Sequence, residues 1–391
     1  MKEDTLIVTA GRDPDANHGV VNPPVYHAST ILHATVAEME EARKKRWEPG
    51  VYTYGRQGTP THEGLETAWA AIEGGWRAVC VASGLAAINA GFFAFLKAGD
   101  HALVVDCAYG PVRRLCDVVL ARYGVETTYF DPAAGGDIRS LFRPNTKLIY
   151  VESPGSLTFE MQDIAAIAEE AHKRDIVVAM DNTWGAGIYF KPFAHGVDVS
   201  FQAATKYICG HSDVMMGIAT MTEATWRPVR QAASDLGANS GPDDVYLGQR
   251  GLRTIKVRLA RHFATGVKLA EWLKGRPEVE RVLHPALPDD PGHAIWKRDF
   301  TGASGLFGVV LKRYPKKAID AMLDGLELYG MGASWGGFES LILPTHPEDA
   351  RTATKWPAPG RSLRIHAGLE DPDDLIADLK RGFERLNANA G

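Results

Sequence analysis

The sequence predicts an α/β protein: an N-terminal arm (residues 1–58), a large α/β domain on a mostly parallel sheet (59–248) and a smaller C-terminal α+β domain (249–391). Three observations predict it. Between about residues 79 and 202 short apolar runs alternate with amphipathic stretches. Strands that alternate with helices need crossovers, which leave the strands parallel and the sheet covered on both faces. The first sixty residues instead lack long periodicity and carry Gly, Pro and Thr punctuation, as at Asn22-Pro23-Pro24 and Gly55 to Pro60. From about Val245 the texture changes again, to one long amphipathic stretch and then Gly- and Pro-rich connections.

Taken in order, the arm has one helical piece near Val36 to Lys45. Val79–Ala82 reads as a strand and Leu85–Lys97 as a helix; His101–Asp106, Thr127–Phe130 and Leu148–Glu152 read as strands, with a helix over Pro111–Arg122. Ile164–Lys173 is helical, followed by strands at Ile176–Asp181 and Val197–Gln202. Arg258 to Lys274 is a long amphipathic helix, and Gly308–Leu311 a shorter strand. A closing helix runs from Pro372 to Asn387, with Asp371 as N-cap before a Pro in the first turn.

Bulk properties narrow the classes of function. A chain of 391 residues can bury two or three cores, and 45% hydrophobic with 23% charged residues is ordinary for a globular protein. The net charge of −5 gives no electrostatic reason to expect nucleic acid or an anionic membrane as partner. Met1 to Ala10 has no basic-then-apolar leader pattern, and no apolar run is long enough to span a bilayer. Cys80, Cys107, Cys116 and Cys209 have no CxxC spacing and sit mostly among apolar residues. They read as buried free thiols of a cytoplasmic enzyme, and not as disulfides or a metal site.

In open α/β sheets ligands collect outside the carboxyl ends of the strands, and three polar features fall there. Ser83-Gly84-Leu85 links a strand to a helix, where backbone can approach an anion and the helix N-terminus supplies free N–H groups. Strand–Gly–helix turns are common, so this alone is weak. Asp181 ends a fully apolar strand and would need a positive partner to stay charged; as a turn or N-cap residue before Asn182 and Thr183 it would be unremarkable chemically. Lys206, beside Thr205, Tyr207 and His211, could be a buried amine of lowered pKa, although a lone Lys is more often solvated. Together an anion cradle, a buried carboxylate and a buried amine match the phosphate, the pyridine nitrogen and the aldehyde of pyridoxal 5′-phosphate.

Five stretches carry a resemblance over almost the whole chain: Tyr54-Gly55-Arg56-Gln57-Gly58-Thr59-Pro60-Thr61, Ala108-Tyr109-Gly110-Pro111, Asp181-Asn182-Thr183-Trp184, Ala204-Thr205-Lys206-Tyr207 with Gly210-His211-Ser212-Asp213, and Arg364-Ile365-His366-Ala367-Gly368-Leu369-Glu370. In these the chain resembles the Cys/Met-metabolism group of fold-type I pyridoxal-phosphate enzymes. The resemblance implies that Lys206 carries the cofactor covalently, Asp181 pairs with its pyridine nitrogen and Tyr109 stacks on its ring. It implies that Ser83, Gly84, Leu85 and Thr205 hold the phosphate, that Tyr54 and Arg56 reach the neighbouring subunit's site, and that Arg364 grips the substrate α-carboxylate. Lys206, Tyr54 and Tyr109 would stand nearest the chemistry.

Within the family, Ser334-Trp335-Gly336-Gly337-Phe338-Glu339-Ser340-Leu341 and Glu152-Ser153-Pro154-Gly155-Ser156 resemble the bacterial cystathionine β-lyases, with Ser334 and Trp335 at the substrate. The implied activity is a carbon–sulfur β-lyase that splits cystathionine, or cystine and cysteine conjugates, to a thiol or persulfide, pyruvate and ammonia. γ-Acting members usually carry Leu where Trp335 stands and Asn where Ser156 stands. A γ-acting enzyme is the alternative, and an idle pyridoxal-phosphate fold used as a regulator a more distant one. Two departures from the pattern are Ala333, where an aromatic is common, and Ala203, where the wider family has Ser. The implied assembly is a homodimer with shared active sites, paired into a homotetramer, acting on a small sulfur amino acid.

Overall fold

The computed structural model describes all 391 residues. Its strands are β1 (Arg77–Val81), β2 (His101–Val105), β3 (Glu126–Phe130), β4 (Thr146–Glu152), β5 (Val177–Asp181), β6 (Val199–Gln202), β7 (Gly217–Met221), β8 (Val279–Leu283), β9 (Leu306–Leu311), β10 (Leu341–Thr345) and β11 (Ser362–His366). The first seven form one sheet in the order β1-β7-β6-β5-β4-β2-β3. β3, β2, β4, β5 and β6 run parallel, and β7 lies antiparallel between β1 and β6. The fold is therefore the expected α/β type with a mostly parallel sheet. β2 shows why the sequence folds this way: all five residues are buried, as a central strand covered by helices on both faces requires.

Where the elements differ from expectation, local pattern was the weaker signal. β7 was not anticipated, since Gly217-Ile218-Ala219-Thr220-Met221 has little strand propensity and owes its place to being sandwiched between two strands. A 14-residue helix, Pro60–Glu73, follows the arm, in a stretch to which the sequence assigns no element. It opens with Thr59 and His62 as a capping box and Pro60 in its first turn, and it buries Leu65, Ala68, Trp69 and Ile72. The helix expected over Pro111–Arg122 is α-helical from Gly110 to Arg114 and then π-helical from Leu115 to Leu120.

β10, β11, β9 and β8 form a second, antiparallel sheet. It packs on the helices Ile255–Lys274, Lys316–Asp324 and Pro372–Ala388 around Phe307, Val309, Leu379 and Phe383. The last helix starts as read, with the Asp371 carboxylate accepting from the Asp373 amide at 2.8 Å. The helix Pro242–Leu252 runs through the point where 248 meets 249.

One buried latch ties the two parts together beside the sheet rim. Asp106, just past β2 and fully buried, accepts from the amides and hydroxyls of Thr352 and Thr354 at 2.9–3.0 Å and pairs with Arg113 and Arg351, each at 3.2 Å. Burial alone would raise its pKa, but the amides of residues 352–354 outweigh burial and hold it at about 2.

Candidate active site

β1, β2, β4, β5 and β6 all point the same way, so their carboxyl ends meet on one rim. Past β1, Ser83 caps the Gly84–Phe95 helix, its hydroxyl accepting from the Ala86 amide at 3.1 Å. The first intrahelical bond is the one Ala87 donates to the Ser83 carbonyl. The amides of Gly84 and Leu85 thus precede the helix ladder and are free for an anion. Glycine is required at 84, because a Cβ would stand 2.7 Å from that of Ala203. The turn is pressed onto the segment that carries Thr205 and Lys206.

Asp181 ends β5. Its carboxylate accepts from the Thr183 amide at 2.9 Å, and the Thr183 hydroxyl accepts in turn from the Ala203 amide at 2.9 Å. Burial raises the Asp181 pKa, while the Thr183 hydrogen bonds and the Lys206 charge pull it down. Lys206 lies in a turn after β6. Its Nζ donates to Ser334 Oγ at 2.6 Å and sits 5.5 Å from the Trp335 ring centre. Burial and then the Arg364 charge lower the amine to about 8, against the opposing pull of Asp181. Arg364, on β11, donates to the Ser334 carbonyl at 2.9 Å. Thr205 Oγ1 takes a hydrogen bond from the Met216 amide at 3.0 Å, which locks the strand-to-turn geometry.

Tyr109, past β2, is half-exposed on this rim. Burial raises its phenol pKa, as do the nearby carboxylates of Asp181 and Glu152, with Arg364 opposing. Those four charged or polar groups therefore lie within electrostatic reach of one another on the rim. Sequence reading assigned no role to Glu152, yet its Oε1 accepts from the Tyr109 amide and from the Tyr150 hydroxyl, both at 2.7 Å. It is the register partner of Asp181 across β4 and β5. Burial, then the Asp181 charge, push it up to about 8. The signal that could have found it is the one that found Asp181, a carboxylate closing an otherwise apolar strand.

Ser83, Gly84, Leu85, Tyr109, Asp181, Thr205, Lys206, Ser334, Trp335 and Arg364 thus come together. Tyr54 and Arg56 do not join them within one chain. Arg56 donates to the Ser234 carbonyl at 2.6 Å, and no hydrogen bond or ion pair links either residue to the Lys206 group. A hollow of about 370 Å³ lies under the arm, among Trp47, Tyr52, Trp226 and Arg230, and shares no residue with the Lys206 cluster.

The donor set fits pyridoxal phosphate: free helix amides for a phosphate, a buried carboxylate for a ring nitrogen, and an amine whose charge is suppressed. The family model described as Cys/Met metabolism PLP-dependent enzyme matches residues 4–384. A cystathionine beta-lyase from Escherichia coli is 44% identical over 98% of this chain and 99% of that protein. One from Bordetella avium is 44% identical over 98% and 97%. Among solved structures, metB from Corynebacterium glutamicum superposes with a TM-score of 0.91 at 31% identity, covering 99% of this chain and 98% of that one.

Proposed function

The chain belongs to the Cys/Met-metabolism pyridoxal-phosphate enzymes, and we propose that within this family it is a carbon–sulfur β-lyase acting on cystathionine, with Lys206 as the central base. The observation that carries the reading is the Lys206 amine, lowered to about 8 and hydrogen-bonded to Ser334, on the same rim as the buried Asp181 carboxylate. An amine of that pKa is neutral in part near pH 7–8 and can both accept and return a proton.

Bound pyridoxal phosphate supplies an electron sink for negative charge at the substrate Cα. The protein's own groups do the rest. Gly84, Leu85, Ser83 and Thr205 bind the phosphate, and Asp181 holds the ring nitrogen protonated. Tyr109 would pack against the ring, its backbone held by the hydrogen bond that its amide donates to Glu152. Arg364 exchanges the Ser334 carbonyl for the substrate α-carboxylate, which its fork fits in two parallel bonds. Lys206 Nζ then removes the Cα proton and delivers a proton to the departing sulfur. Cystathionine and water thereby yield homocysteine, pyruvate and ammonia.

Trp335 packs against both Tyr207 and the Lys206 amine, and its presence together with Ser156 supports β- over γ-cleavage. We further infer a dimer in which Tyr54 and Arg56 of one chain serve the partner's phosphate, with dimers pairing into tetramers. The exposure of Tyr54, and the separation of both residues from their own chain's Lys206 group, support this reading. Four buried thiols suit a reducing, cytoplasmic setting; no helix is long and apolar enough to cross a membrane.

The test is product identity. Purified holoenzyme given cystathionine should form pyruvate and homocysteine in equal amounts. Formation of 2-oxobutyrate and cysteine would place it among the γ-acting enzymes, and no keto acid from cystathionine or cystine would overturn the reading.

A further inference from the structure

The turn Ser334–Gly337 lies directly on the catalytic lysine, and its shape is strained. Ser334, not a glycine, has φ +90°, and Gly336 has φ +86°. A non-glycine residue in that region is stable only when its surroundings over-determine it. A Cβ on Gly336 would stand 2.9 Å from the Lys206 carbonyl carbon and 3.0 Å from its Cα, so no side chain fits between turn and lysine.

Two side chains of β11 hold this turn from one face, Arg364 and His366, which are two residues apart and so point the same way. Arg364 binds the Ser334 carbonyl. His366 Nε2 lies 3.1 Å from the Gly336 amide nitrogen and 3.2 Å from the Gly337 carbonyl oxygen. The ring is fully buried against Tyr207 and His262, and its Nδ1 has no partner. Burial, then the His262 ring, push His366 down to about 3, so it is neutral. A neutral ring makes one bond to the turn in either tautomer, accepting from Gly336 or donating to Gly337. Arg364 is expected to turn to the substrate carboxylate during reaction. His366 is then the side-chain anchor that remains.

We propose that His366 is a positioning residue for the lyase reaction: by anchoring the Gly336–Gly337 peptide it keeps Ser334 in its left-handed conformation, with Oγ on the Lys206 amine, while Arg364 is occupied by substrate. The proposal rests on Lys206 being the base of the reading above. It touches neither cofactor nor substrate and acts through Ser334.

The experiment is a double-mutant cycle on the holoenzyme with His366→Leu, Ser334→Ala, the pair together, and His366→Asn, whose amide can give or accept the same bond. For each, kcat, KM for cystathionine, the melting temperature and the pH midpoint of the lysine-bound cofactor's absorbance are measured. His366→Leu and Ser334→Ala should each lower kcat about tenfold and displace the midpoint in the same direction, and the double variant should be no worse than about twofold below Ser334→Ala. His366→Asn should keep the wild-type midpoint and stay within about threefold of wild-type kcat. Multiplying effects in the double variant would mean that His366 acts independently of Ser334 and would overturn the proposal. So would a folded His366→Asn with a displaced midpoint, which decides the matter alone if the leucine variant does not fold. A melting-temperature loss with unchanged kcat and midpoint would reduce His366 to packing and also overturn it. Failure of the underlying reading looks different: wild-type enzyme would itself show no lysine-bound cofactor band and no keto acid.

Discussion

Replacing Glu152 by Gln should leave the chemistry nearly intact and change how stability depends on pH. Glu152 and Asp181 close neighbouring parallel strands in register, and two carboxylates so placed cannot both ionise cheaply. Burial, with Asp181 next, moves Glu152 from its ordinary 4.5 to about 8. Across that window the native state keeps a proton that the unfolded chain has released. The unfolded state binds fewer protons there, so stability falls as pH rises, by about 1.4 kcal/mol per pH unit and roughly 5 kcal/mol over the whole window. Gln has no proton to lose, yet its amide oxygen can still accept from the Tyr109 amide as Glu152 Oε1 does at 2.7 Å. Urea unfolding of cofactor-free wild type and Glu152→Gln between pH 5 and 8 measures this. The variant should gain on wild type by about 1.4 kcal/mol for each unit of rising pH, and its holoenzyme kcat at neutral pH should stay within about threefold. Parallel stability curves would mean that Glu152 is ionised in the fold. A kcat loss of about a hundredfold or more would mean that its charge, and not its proton, serves the site.

Asp181→Asn should keep the fold but lower kcat severely, since an amide cannot hold a ring nitrogen protonated; a loss under about tenfold, or about 1.4 kcal/mol of barrier, would remove Asp181 from that role. Mixing an Arg56→Ala chain with a Lys206→Ala chain, each nearly inactive alone, should restore activity toward half per mixed dimer, because both defects then fall in one of two shared sites. No recovery despite demonstrated subunit exchange would mean that each phosphate is held within one chain.

Asp181 draws notice in the sequence because it ends an apolar strand, where a charge needs a reason, and Lys206 because it follows the next strand in a motif with Thr205. The parallel sheet was legible from alternation for the same local cause. What the sequence did not show depends on contacts distant along the chain. Asp106 finds Thr352 and Thr354 some 246 to 248 residues away, and no periodicity announces that latch. His366 stands in the same motif as Arg364, and only the fold brings it 3.1 Å from Gly336. β7 escaped because Gly217 and Ala219 carry no strand signal of their own and are held by neighbours on both sides. Tyr54 and Arg56 are the opposite case, matched by motif but left apart from the site in a single chain.

The central claim, that Lys206 is the residue on which the cofactor is held, has a direct test. Borohydride reduction of the holoenzyme fixes the cofactor to whatever amine bears it, and mass spectrometry of the digest locates the added mass. The label should fall on the peptide containing Thr205-Lys206-Tyr207, at Lys206 alone and in step with the loss of activity. Label on another lysine, or none on a fully active holoenzyme, would contradict the account.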